Sequence, residues 1–309
     1  MGCDSPPAEL IGLSVPQCCT GYKKLRKEEQ GMLHLSVGMD IYIGIMAFVI
    51  GACMGSFLNC MAWRIVNGES VMKGRSHCDI CGEPLAFRDL IPILSFLINR
   101  GRCRKCGAKL SAGHVIAEAA TGLTFLLLIF KFDISLQALE MLIFASVLLA
   151  SAFADLKGYI IPDRFIVAAI VLRIPFFFCL QDLKGQLIDA LIGGFAIGGG
   201  LLLVVLLYEK LRKIEAMGGG DLKLLFVTGL YLGWARNILC LLLACIFGIV
   251  FGLVMRRIGC KDAQDADGHM HAEQEMSHKA FPWGPSIAAA AIVSALIGDI
   301  VVNAYLQMF

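Results

Sequence analysis

Eight apolar stretches, at roughly 41–63, 114–130, 136–154, 164–180, 187–207, 222–234, 236–255 and 284–306, run through this 309-residue chain. A bilayer-crossing helix needs about 20 mostly apolar residues, and lipid tolerates only structures whose backbone groups are satisfied internally. Hydrophobic residues make up 58% of the chain and charged ones 17%, against about a quarter charged in soluble domains. The expected fold is an all-α polytopic membrane protein with about eight transmembrane helices. The 222–234 stretch is short and starts on Gly218, Gly219 and Gly220; irregular backbone is expected there, of the kind that lines a protein-walled, water-filled cavity.

The placement of Lys and Arg sets the orientation. The loop after the first helix carries Arg64, Lys73, Arg75, Arg88, Arg100, Arg102, Arg104, Lys105 and Lys109, and the alternate loops carry Lys157, Arg164, Lys210, Arg212, Lys213, Arg256 and Arg257. These loops are expected to be cytoplasmic, and the lipid bilayer to be a partner. A net charge of +2, with the basic residues confined to short loops, gives no sign of a nucleic-acid partner. Residues 1–38 hold Pro6, Pro7, Pro16 and the basic cluster Lys23, Lys24, Arg26 and Lys27 without an apolar signal core. They are expected to be a disordered tail, with Met32 or Met39 as an alternative start; the cluster opposes the orientation that the other loops give. The first transmembrane helix then covers 41–66, a cytoplasmic loop domain 67–112 and the membrane core 113–309.

Within that loop, Cys78-Asp-Ile-Cys81 and Cys103-Arg-Lys-Cys106 form two C-x-x-C pairs, with the 21 residues 82–102 between them. This is just beyond the usual zinc-ribbon spacing. A domain of about forty residues cannot build a sufficient core alone, so a tetrahedral metal would supply the missing stability. Four thiolates leave no open coordination position, so Zn2+ is expected to be structural. The alternative is two disulfides or redox pairs, which a reducing cytosol opposes.

Ionisable groups in or beside membrane helices are functional candidates. Asp155 ends the third apolar stretch and Asp221 begins the sixth, and each is followed two residues later by a lysine, Lys157 or Lys223. Two carboxylates sharing a low-dielectric pocket cannot both ionise easily; one can activate water while the other donates a proton. Helix dipoles favour the anion at Asp221, at a helix N-terminus, over Asp155 at a C-terminus. Plainer readings stand beside this one. Asp221, after its glycines, and Asp163, in Ile161-Pro162-Asp163, both suit a helix N-cap. Lys157 and Lys223 suit membrane anchors as well as oxyanion partners. Glu118 is either a buried polar partner or an interfacial residue, and His114 has no ligand-like companion. Bare glycines at 218 and 220 would let a substrate backbone approach the carboxylates.

Taken together these residues resemble the type IV leader peptidases, or prepilin peptidases, over about 41–306. Gly55-Ser-Phe-Leu-Asn59 with Arg64 is similar to the family's first-helix element. The cysteine pairs, with Asp89-Leu-Ile-Pro92-Ile-Leu-Ser95 and Arg100, resemble its zinc loop, and Glu118 falls at its membrane glutamate. Asp155 with Ile161-Pro162-Asp163, and Gly218-x-Gly220-Asp221-x-Lys223, resemble its two aspartate motifs. Phe281-Pro-Trp-Gly284-Pro285 resembles its P-F-G-P segment, with Trp283 where Phe is usual. The resemblance implies an intramembrane aspartic endopeptidase of the bacterial cytoplasmic (inner) membrane. It would use Asp155 and Asp221 to cut the short basic leader from prepilins or pseudopilins after Gly, with Asp163 at the accompanying motif position. It also implies that N-methylation of the new terminus with S-adenosylmethionine often accompanies cleavage, although no glycine-rich nucleotide loop is visible. The competing readings are a carboxylate-dependent membrane transporter with a regulatory zinc module, and an inactive pilin-binding assembly factor.

Overall fold

The computed structural model describes residues 37–71, 81–84, 86, 89, 91–179, 183–212, 218–264 and 281–308. Residues 42–309 form one compact unit, to which the description below applies. Its elements are α1 (Val37–Val66), the short α2 (Leu94–Ile98), α3 (Gly113–Phe132), α4 (Leu136–Gly158) and α5 (Asp163–Cys179). They are followed by α6 (Leu183–Gly194), a π-helical turn (Phe195–Gly199), α7 (Gly200–Arg212), α8 (Gly219–Gln264) and α9 (Gly284–Leu306). An isolated antiparallel β-bridge joins Arg102 to Lys109.

Among the described residues six stretches are helical, long and apolar enough to cross a membrane: 38–66, 113–132, 136–158, 184–212, 219–257 and 284–306. The difference from about eight lies in two places. The expected span at 164–180 is α5, whose 17 residues include Pro175 and fall just short. The expected spans at 222–234 and 236–255 lie in the single stretch α8, which breaks at Gly233 (φ 74°, ψ 178°). Irregular backbone therefore occurs at the far end of the sixth expected helix, whereas its glycine-rich start is regular helix from Gly219 onward.

Helix α4 is the axis of the assembly. Every residue from Val147 to Asp155 is buried, as expected of a helix apolar on all sides, and small Ala150, Ala152 and Ala154 let neighbours approach closely. It packs against α3, α5 and α9, while α8 packs against α5, α6 and α9. Helices α1 and α3 come so close that a β-carbon on Gly51 would stand 2.8 Å from the Gly122 backbone, and one on Gly55 2.8 Å from Thr121 Oγ1.

Two sets of buried polar groups cross-link the core. Fully buried Asn237 donates to the carbonyls of Gly193 (3.0 Å) and Leu225 (3.3 Å) and accepts from Thr228 (2.8 Å). It thus bridges the two halves of broken α8 and ties them to α6. Glu140 of α4 forms an ion pair with Arg173 of α5, both buried. The guanidinium lies 4.5 Å from the Phe177 ring centroid and 5.2 Å from that of Tyr231, and Tyr231 stacks on Phe144.

Candidate active site

Four helix ends converge: the end of α4 and the starts of α5, α8 and α9. Asp155 lies in the last turn of α4, which closes at Tyr159 (φ 53°, ψ 29°), whose amide donates to the Asp155 carbonyl at 2.8 Å. The side chain is only 5% exposed, and its Oδ2 accepts the Gly284 amide at 2.8 Å. Gly284 is the first residue of α9, where helical N–H groups lack intrahelical partners. Asp155 thus compensates the positive end of α9. The dipole argument that set Asp155, at a helix C-terminus, against Asp221 is thereby weakened: Asp155 ends α4 but also binds the N-terminus of α9, which offsets the unfavourable end. A β-carbon on Gly284 would stand 2.8 Å from Asp155 Oδ2, so glycine is required for this approach.

Asp221 sits half-buried in the first turn of α8, within electrostatic reach of Asp155. Its amide donates to the Gly218 carbonyl at 3.1 Å. The three glycines differ in their surroundings. A β-carbon on Gly218 would stand 3.1 Å from Asp221 Oδ2, one on Gly219 would meet open space, and one on Gly220 would stand 3.0 Å from Ile161 Cβ. Gly220 is therefore explained by packing against the α4–α5 loop, whereas Gly218 stands against the Asp221 carboxylate.

Lys223 and Asp163 form an exposed ion pair at 2.6 Å, which ties the start of α8 to the start of α5. Lys157 Nζ donates to the Asn59 carbonyl at 3.0 Å, tying α4 to α1. Beside the Asp163–Lys223 pair, a cavity of about 340 Å³ is lined by Ile65, Gly68, Glu69, Pro162, Asp163 and Arg164.

Three of the four expected metal ligands cluster: the thiols of Cys81, Cys103 and Cys106 lie within 4.8 Å of one another, none in a disulfide. Cys78, like Lys73, Arg75 and Arg88, lies outside the described residues. Thiolates at this spacing fit one tetrahedral ion, which binds sulfur at about 2.3 Å. Each pair is followed by a glycine at positive φ, Gly82 (68°) after Cys81 and Gly107 (69°) after Cys106, a conformation that costs other residues more. The doubled C-x-x-C-G spelling was the sequence signal for these turns. The Cys103 amide donates to Ala108 O at 2.8 Å and the Gly107 amide to Cys103 O at 2.9 Å, closing the second knuckle. Lys105 and Glu83 bridge the two knuckles. Their hydrogen bond and the Glu83 charge raise the pKa of the Lys105 ammonium from the ordinary lysine value.

Glu118 proves to be a buried polar partner. Its Oε2 accepts the Ile93 amide at 2.7 Å, and Ile93 occupies φ 60°, ψ −49°. The Leu94 amide donates to Pro92 O at 2.5 Å across it, a γ-turn of the rare strained kind, and a β-branched residue at positive φ is an outlier. Glu118→Ala is expected to release this turn at a cost of about 1–3 kcal/mol, read as faster hydrogen exchange over residues 91–98. Glu118→Gln keeps an acceptor and should exchange nearly as slowly as wild type; equal rates in all three proteins would disprove the tether. His114, without a companion in the sequence reading, meets Asn59 Nδ2 through Nδ1 at 2.9 Å. A contact across 55 positions leaves no local sequence signal.

Comparison with known proteins places this architecture. The family model described as "Bacterial Peptidase A24 N-terminal domain" matches residues 49–132, and that described as "Type IV leader peptidase family" matches residues 142–253. A Prepilin leader peptidase/N-methyltransferase of Bacillus subtilis is 30% identical over 266 residues, covering 84% of this chain and 97% of its own length. The protein of the same name from Aeromonas hydrophila is 29% identical over 310 residues, covering 90% and 99%. That of Myxococcus xanthus is 35% identical over 213 residues, covering 68% of this chain and 62% of its own length. No solved structure matches. With two family models in order along the membrane core and relatives matched over nearly their whole length, the chain belongs to the type IV leader peptidase family.

Proposed function

We propose that this protein is an intramembrane aspartic endopeptidase that removes the leader from prepilins or pseudopilins, cutting after Gly at the cytoplasmic membrane face, with Asp155 and Asp221 as the catalytic pair. What supports the reading is the convergence of the helix ends that carry these two carboxylates, 66 positions apart in the sequence: Asp155 holds the Gly284 amide, and Lys223, two residues after Asp221, pairs with Asp163 just after α4, inside a chain of this family. One carboxylate takes a proton from water as its oxygen adds to the scissile carbonyl carbon. The protonated partner donates a hydrogen bond to the carbonyl oxygen, and as the C–N bond breaks a proton passes to the leaving amine. The Asp163–Lys223 pair would hold the two aspartate motifs in register from outside the reacting atoms. The cytoplasmic orientation is supported by the loop lysines and arginines. In this reading α5 and both halves of α8 also cross the bilayer, giving eight spans, and 67–112 is the cytoplasmic zinc domain.

The test is to incubate detergent-solubilised protein with a prepilin and follow leader loss by mass, for wild type and for Asp155→Asn and Asp221→Asn. Loss in wild type alone supports the peptidase. No loss in any of the three would favour a transporter or a binding factor.

For the metal we propose Zn2+ held by Cys78, Cys81, Cys103 and Cys106. When bound it supplies structural cross-linking and no open coordination position. Protein purified without chelators is expected to carry stoichiometric zinc and Cys103→Ser to lose it; a zinc-free wild type would refute the assignment. For N-methylation, named in the relatives, no glycine-rich loop suited to S-adenosylmethionine occurs among the described residues, so it receives no residues and no step here.

A further inference from the structure

The loop between α1 and α3, expected to be a cytoplasmic domain, carries a surface that does not belong in water. None of the five residues of α2 is buried. Ile91, Leu94, Leu97 and Ile98 are 46%, 49%, 65% and 64% exposed. Four large aliphatic side chains together on a short exposed turn form an apolar patch of the kind that marks an interaction site. No described part of this chain covers it.

Its depth is fixed by the Glu118 tether. Glu118 lies five residues inside α3, a stretch long and apolar enough to cross the membrane. At about 1.5 Å per residue the carboxylate is about 7.5 Å in from the start of that span, and it holds the Ile93 amide directly. The strained turn at Ile93 and the helix that follows are thus held beside a lipid-facing span. Amphipathic elements seat their apolar side about 5–10 Å into the boundary of headgroups and acyl chains, and the tether puts α2 within that range. The flank carries the matching charge: Arg100, Arg102 and Lys109 are exposed where the chain leaves α2 toward the cysteine knuckle, and the Phe96 ring folds back against Gly101 at the turn between. Aliphatic tips with a cationic flank, continuous with a membrane-spanning face, match an anionic leaflet.

We propose that α2 is a membrane-dipping wedge: Ile91, Leu94, Leu97 and Ile98 insert into the acyl region of the leaflet on the side where α1 ends and α3 begins, while Arg100, Arg102 and Lys109 meet anionic headgroups. Glu118 is the positioning residue that sets the depth of the wedge. The knuckle is then held at the membrane surface beside the helix ends that carry Asp155. This inference needs only the membrane and does not rest on the peptidase reading.

The full chain tests it. A benzophenone amino acid is placed at Leu97, and in a second protein at Ile98, with Ile45 on α1 as a lipid-facing control and Lys109 as a headgroup-level control. Each protein is reconstituted in vesicles of phosphatidylethanolamine and phosphatidylglycerol and irradiated. Phospholipid adducts through the acyl chain are expected at 97 and 98 at the yield found at 45, and are expected to be lost at 109. In Glu118→Ala the yield at 97 is expected to fall while that at 45 stays the same. Adducts at 97 and 98 no greater than at 109 would overturn the proposal. So would cross-linking of these positions to a second copy of the chain, or to added prepilin, in place of lipid.

Discussion

Asp155→Asn and Asp221→Asn are each expected to lower the rate of leader removal by roughly 10²–10⁴-fold, the usual contribution of a positioned acid or base. Asparagine separates chemistry from architecture at position 155, because its amide oxygen can still accept the Gly284 amide that Asp155 holds at 2.8 Å. Membrane insertion and thermal stability should therefore change little in Asp155→Asn. Asp155→Ala should lose the same activity and also about 1 kcal/mol of stability, the usual cost of an emptied helix cap. The double Asn variant should be no slower than the worse single one, since groups acting as a unit are not additive. The measurement is single-turnover cleavage of a prepilin in detergent or vesicles. Full activity in either single variant would remove that residue from the pair.

The largest effect on stability is expected away from this site, at the Glu140–Arg173 ion pair. Both side chains are buried, 2% and 8% exposed. Removing one partner strands the other charge, at a cost of about 3–5 kcal/mol. Glu140→Ala is expected to lower the midpoint of unfolding in mixed micelles accordingly. Glu140→Met combined with Arg173→Met should recover most of the loss, because replacing a whole buried pair by apolar groups of similar volume is often neutral. The stacking of Arg173 on Phe177 and Tyr231 adds a cation–π contact that methionine cannot replace in full, so recovery should stop somewhat short of wild type. A shift of less than about 1 kcal/mol in Glu140→Ala would show that the pair contributes little.

Features carried by local spelling were legible in the sequence. The apolar runs gave the all-α membrane class, and the two C-x-x-C pairs identified three cysteines that do cluster. Features made by long-range packing were not. The Asp155–Gly284 bond joins positions 129 apart, and it weakens the argument that Asp155 alone stands at an unfavourable helix end. Lys223 reads first as a membrane anchor and second as an oxyanion partner until its contact with Asp163 is seen. The number of spans depends on backbone conformation as well as apolar length: Gly233 divides α8 about where the sequence separates the 222–234 and 236–255 runs, although the two halves form one continuous stretch. Gly220 shows the same limit. A glycine beside a carboxylate suggests room for substrate, and only the nearby Ile161 side chain shows that packing accounts for it.

Under the proposed pairing, the bond from Gly284 to Asp155 gives that carboxylate two employers. One oxygen already anchors the leading amide of α9, so any proton that Asp155 takes up also weakens its grip on that helix. Each catalytic cycle of the proposed peptidase would then tug on α9. The anchoring end of that helix becomes a built-in gauge of the charge on Asp155, readable from its amide exchange without a substrate label.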